Sequence, residues 1–170
     1  EELMRLMVTA GFNSIFVGIE TPNEESLAEC NKRQNRNRDL VASVQKMQNH
    51  GLQVQGGFIV GFDSDPVSIF KSQIEFIQKS GIVTAMVGVL MAPPGTRLYK
   101  RLKKENRLLQ GGTGDNTDGS TNFIPKMGHE TLARGYKHVV DTIYAPKQYY
   151  ERIRTFLSEY KPGNKRKFKI

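Results

Sequence analysis

Residues 12–22 read FNSIFVGIETP, and the reading of this stretch decides the fold. Phe12 to Glu20 is a run of apolar and β-branched residues short enough for one strand and bounded by turn formers on both sides. Upstream, Leu3, Met4, Leu6, Met7 and Ala10 recur at helical spacing, and Gly11 can end that helix in a left-handed cap. Downstream, Thr21-Pro22 is predicted to cap and start a short helix through Cys30, because proline at the first helical position has no needed N–H to lose. A polar loop rich in Arg and Asn follows. The next helix is predicted over Arg38 to His50, with Leu40, Val41, Val44 and Met47 as its apolar stripe and Gly51 as its stop.

The same grammar repeats. Gln53 to Phe62, QVQGGFIVGF, reads as a second strand. Asp65-Pro66 restarts a helix through Ser80, where Ile69, Phe70, Ile74 and Ile77 keep helical spacing and Gly81 ends it. Val83 to Met91 is a third apolar strand, and the turn APPGT leads into a short basic helix around Leu98 to Asn106. Three strands separated by helices predict a parallel sheet with right-handed crossovers, either half of a barrel or part of an open sheet. The nearly continuous apolar strands predict burial on both faces.

After Leu109 the composition changes. QGGTGDNTDGST at 110–121 is loop chemistry. Two amphipathic helices are then expected. In Thr131 to Tyr144 the inward residues are Leu132, Tyr136, Val139, Val140 and Ile143. In Pro146 to Tyr160 they are Tyr149, Tyr150, Ile153, Phe156 and Leu157. Neither helix is stable alone, so the pair is expected to pack on the sheet. The chain therefore divides into 1–109 and 110–170, an α/β unit of parallel βα repeats followed by a helical extension, with GNKRKFKI as a frayed tail.

The bulk numbers exclude several classes. At 170 residues, with 38% hydrophobic and 25% charged residues, the chain is a folded domain with room for a core, not a disordered one. No run approaches the ~20 apolar residues of a membrane span. The single cysteine, Cys30, rules out an internal disulfide or a multi-cysteine metal site made by this chain alone, and fits a reducing cytoplasm. On its predicted helix Cys30 reads as a small packed residue. The net charge of +8 invites a nucleic-acid reading. The excess sits at Lys32–Arg38, Lys100–Lys104 and Lys161–Lys169, without interleaved aromatics for base stacking, so solvated surface is the plainer reading. The chain opens on Glu-Glu inside a helix-like pattern without an initiator methionine, which reads as an excised fragment.

Parallel α/β sheets bind ligands at the carboxyl ends of their strands. That rule selects Gly18 to Thr21, Gly61 to Asp65 and Met91 to Thr96. Glu20 ends an apolar strand, where a carboxylate is costly unless hydrogen-bonded. It can accept two hydrogen bonds from the vicinal hydroxyls of a sugar, or it can serve the next helix or an arginine as a plain charge partner. Gly56, Gly57 and Gly61 would let a ligand approach the backbone, although glycine in strands also marks bulges. Asp115, Asn116, Asp118 and Thr121 are oxygen donors for a calcium or magnesium ion, but lack the closing glutamate of a calcium loop, which favours a plain or substrate-covering loop. His50, His129 and His138 are too far apart for a ligand set and read as surface or helix-end residues. Met86 and Met91 read as core. Tyr144, Tyr149, Tyr150 and Tyr160 read as helix-face packing with hydroxyls reaching polar edges.

GIETP at 18–22, GFIVGFD at 57–63 and APPGTRLY at 92–99, in this order with helices between, resemble the last three strands of the radical SAM barrel. The resemblance implies a partial, half TIM-like barrel. It implies that Glu20 contacts the ribose of S-adenosylmethionine and that Gly57, Ile59 and Gly61 belong to the fifth-strand pattern, with Ile59 against adenine. It further implies that the strand Val87 to Leu90, Val89 and Leu90 included, offers backbone contacts to adenine. The fifth-strand pattern ends in glutamate; here that position is Ser64, with Asp63 or Asp65 as the substitutes. GDNTDGSTNFIPKM and IYAPKQYYERIRTFL are similar to the C-terminal domain of uncharacterised role in radical SAM proteins that often carry a cobalamin-binding domain.

In such a protein a CxxxCxxC loop holds a [4Fe–4S] cluster, whose open iron takes the methionine group, and reductive cleavage yields a 5′-deoxyadenosyl radical. This chain holds no such loop. It is accordingly expected to be inert alone, to need the missing N-terminal half of the same protein, and to contribute half of the cofactor pocket plus a helical lid. The resemblance makes the parent a cobalamin-dependent C-methyltransferase acting on a lipid-like or tetrapyrrole-like small molecule. The alternative is a non-catalytic module using its basic surface for an acidic partner or RNA.

Overall fold

The computed structural model describes residues 1–109 and 118–162. The helix α1 (Glu2–Thr9) leads into strand β1 (Ser14–Glu20), then α2 (Glu24–Glu29) and a 3-10 turn at Arg33–Asn35. The order continues with α3 (Leu40–Asn49), β2 (Gln53–Val60), α4 (Ile69–Ser80), β3 (Ala85–Val89), α5 (Arg97–Lys104), α6 (His129–Ile143) and α7 (Pro146–Glu159). The three strands are parallel in the order β1-β2-β3, an open sheet with the layout of a partial barrel, followed by a helical C-terminal part.

The helix boundaries follow from capping. Asn23, not the Thr21-Pro22 pair, caps α2 by accepting a hydrogen bond from the Ser26 amide at 2.9 Å, which leaves Pro22 before the helix rather than in its first turn. Asp39 caps α3 in the same way through the Ala42 amide, and Thr96 caps α5 through Tyr99. Gly11, Gly51 and Gly81 all take positive φ at helix ends, as their positions predict. The helix after Asp65-Pro66 begins at Ile69, because Asp65 is occupied with its own loop.

Among the described residues only one face of the sheet is covered. Ile15, Val17, Ile19, Val54, Phe58, Val60, Ala85, Val87 and Val89 point toward the helices and form the main core with α3, α4 and α6. The alternate residues lie on the other face, where Phe16 is 59% and Met86 53% exposed. The expectations of two-sided burial and of a core Met86 are therefore corrected. The signal was present, since Gln53 and Gln55 alternate with the buried residues of β2.

The C-terminal helices pack on the sheet unit as expected, but not as a lid. α6 occupies the helix layer beside α4 and β3, with Leu132, Val139 and Ile143 in the shared core. α7 lies at the amino ends of the strands. Its Phe156 backbone touches Gly81, the turn into β3, and the chain just beyond it hydrogen-bonds Gln48 near the entry to β2. The latch is Arg152, fully buried, which donates to the Ile143 carbonyl at 2.6 Å, Gln78 Oε1 at 2.7 Å and the Val83 carbonyl at 3.2 Å. Its guanidinium also stacks over Tyr144 and Tyr149. The Tyr144 hydroxyl donates to the Ala85 carbonyl and accepts from the Ala85 amide, so it caps the outer edge of β3, where no further strand pairs among the described residues.

Candidate functional site

The carboxyl ends of the strands gather the residues that the sequence singles out. β1 carries an irregularity at its end: Gly18 pairs with Gly57, yet Glu20 pairs with Phe58, leaving Ile19 as the extra residue. The bulge turns Glu20 onto the uncovered face with φ +69. A glutamate in this left-handed region is strained by about 1–3 kcal/mol and persists only where its surroundings fix it. They do so here from the polar loop after α2. The Asn35 amide donates to the carbonyls of both Gly18 and Ile19, and Lys32 Nζ lies 2.7 Å from Glu20 Oε1. Glu20 Oε2 has no partner among the described residues. The charge partner is thus a lysine rather than an arginine, and one carboxylate oxygen stays available to a ligand.

Beside Glu20 the uncovered face is flat. Gly18 and Gly57 sit side by side across β1 and β2, and Gly88 pairs with Ile59 across β2 and β3. Phe16, Gly18, Glu20, Gly57, Ile59, Met86 and Gly88 outline a shallow recess of about 170 Å³. A Cβ at Gly57 would meet the Phe16 ring at 2.8 Å, and one at Gly18 the Glu20 carboxylate at 2.6 Å. At these two glycines the space a side chain would fill is taken by the Phe16 ring and the Glu20 carboxylate, so the recess has a carboxylate at one side, an aromatic ring across it and Ile59 at another.

The remaining nominated residues stand apart. Gly61 follows β2 with φ +102 against Leu132 and Leu90, so its conformational freedom serves the chain turn and helix packing. Val89 is fully buried toward the helices. Leu90 uses its N–H on the Val60 carbonyl, and its own carbonyl accepts from Thr121 Oγ1 at 2.8 Å. The Asn122 side chain pairs with both the N–H and the carbonyl of Ala92. Segment 121–124 is held over the exit of β3 by these bonds and by the Leu108–Phe123 bridge. It forms a second apolar cluster with Phe62, Leu90, Ala92 and Leu102.

Both candidate aspartates beside Ser64 are engaged within the fold. Asp63 is a nearly buried hub, 2.6 Å from Arg107 and 2.7 Å from Arg101. Burial alone would raise its pKa, but the two guanidinium groups outweigh it and hold the carboxyl below its usual range. Asp65 folds back, accepting from Ser26 Oγ at 2.6 Å and from the amides of Gly61 and Phe62. Burial pushes its pKa up. The Ser64 amide donates to Glu29.

Cys30 is exposed at the end of α2, which corrects its reading as a packed residue, and partial desolvation pushes its thiol pKa up. Of the acidic loop, Asp115 and Asn116 lie outside the described residues, as does the 163–170 tail. Thr121 serves Leu90, and Asp118 accepts from the Ser120 amide. Among the described residues no group of three or more His, Cys, Asp or Glu is placed to hold a metal ion, and no helix is long and apolar enough to cross a membrane. His50, His129 and His138 sit at the end, the start and the exposed face of their helices. Lys32, Asn35 and Arg101 are neighbours of the candidate residues that the sequence reading missed. Their only signal was a polar loop and a basic helix.

Residues 96–170 match a family described as a domain of unknown function, DUF4070, a domain found in cobalamin-binding radical SAM proteins. Together with the three strand-end motifs upstream of it, this match makes the chain similar to radical SAM proteins that carry this domain. Among its relatives is an uncharacterised methyltransferase of Synechocystis, 40% identical over all of this chain and 32% of the relative. The hopanoid C-2 methylase of Rhodopseudomonas palustris is 30% identical over 89% of this chain and 28% of its own length. The bacteriochlorophyllide d C-12(1)-methyltransferase of Chlorobaculum tepidum is 30% identical over 62% and 23% respectively. The chain thus spans about a third or less of the relatives it matches.

Proposed function

We propose that this chain is the C-terminal part of a radical SAM C-methyltransferase and supplies the ribose and adenine side of its S-adenosylmethionine site. The observation that carries the reading is Glu20. A strained left-handed glutamate, pinned by Lys32 and Asn35 at the edge of a glycine-lined recess, is an arrangement that packing does not require. In this reading the free oxygen of Glu20 accepts from the ribose hydroxyls, and the base lies against Ile59 and Gly88 beside the Phe16 ring. Gly61 shapes the turn behind it. Leu90 spends its own backbone groups on Val60 and Thr121, so the outward N–H and carbonyl of Val89 are the backbone pair for adenine.

One cysteine cannot hold an iron–sulfur cluster. The [4Fe–4S] ligands, the methionine-binding segment and any cobalamin region therefore belong to the rest of the protein, and these groups supply the radical and methyl-transfer chemistry. Residues 1–109 would orient the nucleoside and wall it from water. Residues 110–170 would brace that half-barrel through α6 and the Arg152 latch, and together the two parts would be inert without the N-terminal half. The relatives' names point to a lipid-like or tetrapyrrole-like small molecule as substrate. The free thiol of Cys30 supports a reducing, cytoplasmic setting.

The test is Glu20→Ala in the full-length protein, with S-adenosylmethionine affinity read by equilibrium dialysis. Loss of charge-assisted hydrogen bonds of roughly 1.5–3 kcal/mol weakens binding about 10- to 100-fold. Unchanged affinity would overturn the assignment. A second reading is favoured by one observation: Lys100, Lys103 and Lys104 on α5 form no ion pair among the described residues. An acidic partner or RNA held there would show tight binding at physiological salt with a steep salt dependence.

A further inference from the structure

A cleft of about 710 Å³ lies beside the glycine recess, above the strand ends. Its walls come from three successive βα connections: the end of α2, the exit of β2 and the β3–α5 turn. Its floor is apolar, made by Phe62, Leu90, Pro93 and Leu98. The volume lies within the range that small-molecule sites occupy, and an apolar floor with few polar groups is their usual composition.

Two guanidinium groups face this cleft, and they differ. Arg101 is neutralised by Asp63 at 2.7 Å and Glu29 at 2.8 Å. Arg97, in the first turn of α5, has neither an ion pair nor a hydrogen-bond partner among the described residues. Glu29 is the sole carboxylate in the lining, and its two oxygens are engaged by Arg101 and the Ser64 amide. The cleft therefore carries one uncompensated positive charge at the rim of an apolar floor. Lys100 and Lys104, which share a shallow recess with Arg97, strengthen the local positive potential.

We infer that this cleft is a substrate subsite for a molecule with an apolar body and an anionic oxygen group, and that Arg97 binds that group. The inference rests on the cofactor reading only in taking the cleft as the substrate's place beside the Glu20 recess. Phe62 and Leu90 follow directly on the strands whose Gly57, Ile59 and Gly88 line that recess. An apolar body on the floor would meet Phe62 and Leu98, while the anion takes the forked N–H groups of Arg97.

The test titrates full-length protein with 2-naphthoate, 2-naphthyl phosphate and the neutral methyl 2-naphthoate. At least one of the two anions binds tenfold or more tighter than the ester, on the order expected for one charge-assisted contact, and the better anion identifies the group. Arg97→Gln removes this preference and leaves ester affinity unchanged. Cys30 lines the same cleft and is exposed, so the bound anion slows alkylation of the Cys30 peptide, followed by mass spectrometry. Equal affinities for anions and ester, a preference retained in Arg97→Gln, or undiminished Cys30 alkylation would each overturn the inference. A fall in S-adenosylhomocysteine affinity in Arg97→Gln would overturn it too, by assigning Arg97 to the cofactor's own carboxylate. If instead Glu20→Ala leaves S-adenosylmethionine binding intact while Arg97 still discriminates, the cofactor reading fails and the acid-binding cleft stands.

Discussion

Replacing Arg152 by alanine should loosen α7 and α6 from the sheet, and the cost follows from its contacts. The Ile143 carbonyl sits on a fully buried residue and would lose its 2.6 Å donor, an orphaned acceptor costing about 1–3 kcal/mol. Gln78 and Val83 are only partly buried and can recruit water, so their loss adds little. The guanidinium lies 5.5 Å from the Tyr144 ring and 5.3 Å from the Tyr149 ring, contacts together worth about 1–2 kcal/mol. The vacated volume adds a further cavity cost. Against these stands the recovered desolvation of a buried cation, the same burial that pushes the Arg152 pKa down. The net expectation is a loss of about 3–5 kcal/mol, or a Tm lower by roughly 6–20 °C at 2–4 °C per kcal/mol. Hydrogen exchange localises it: amides of α6 and α7 lose protection before those of β2. Unchanged exchange in both helices would refute the latch. Arg152→Leu, which refills space but donates nothing, separates the hydrogen-bond part of the loss from the cavity part.

Other outcomes follow from single contacts. Gly135→Ala places a methyl into the ring of Phe70, which is itself buried in the core. The variant should lose about 1–3 kcal/mol in urea unfolding. Asp63→Asn should uncouple α5 from the β2 exit at a cost of about 3 kcal/mol at neutral pH. Because its pairing holds the native pKa below the ordinary 3.8, that advantage is fully present above 3.8. It disappears as pH falls through the lower native value, so wild type and variant converge in acid. Asp65 has the opposite sign. Its native pKa is raised, so its contribution declines as pH climbs from 3.8 through the raised value, and Asp65→Asn should flatten that part of the pH–stability curve.

The element order and the strand-end cluster of Glu20, Gly57 and Ile59 were legible because they rest on short-range signals: apolar periodicity, glycine stops and motif spacing. Which face each strand buries was less so. Periodicity in β1 and β3 is nearly erased by apolar residues on both sides, and Phe16 and Met86 look like core until the sheet is seen to be open. The supports of Glu20 were illegible. Lys32 and Asn35 reach it only because the chain reverses through Asn31 and Asn37, both at positive φ, and no spacing rule announces that reversal. Arg152 shows the same gap at longer range. On a helical wheel it is one more cation of a basic helix, and its burial depends on carbonyls from α6 and the turn into β3.

In the proposed function the uncovered sheet face holds adenine and ribose. Photolabelling the full-length protein with 8-azido-S-adenosylmethionine, followed by peptide mapping, tests it most directly. Label displaced by unlabelled S-adenosylmethionine is expected in the peptides bearing Gly18–Glu20, Gly57–Gly61 and Gly88–Leu90. Competed label confined to α6, α7 or regions outside these strands would contradict it.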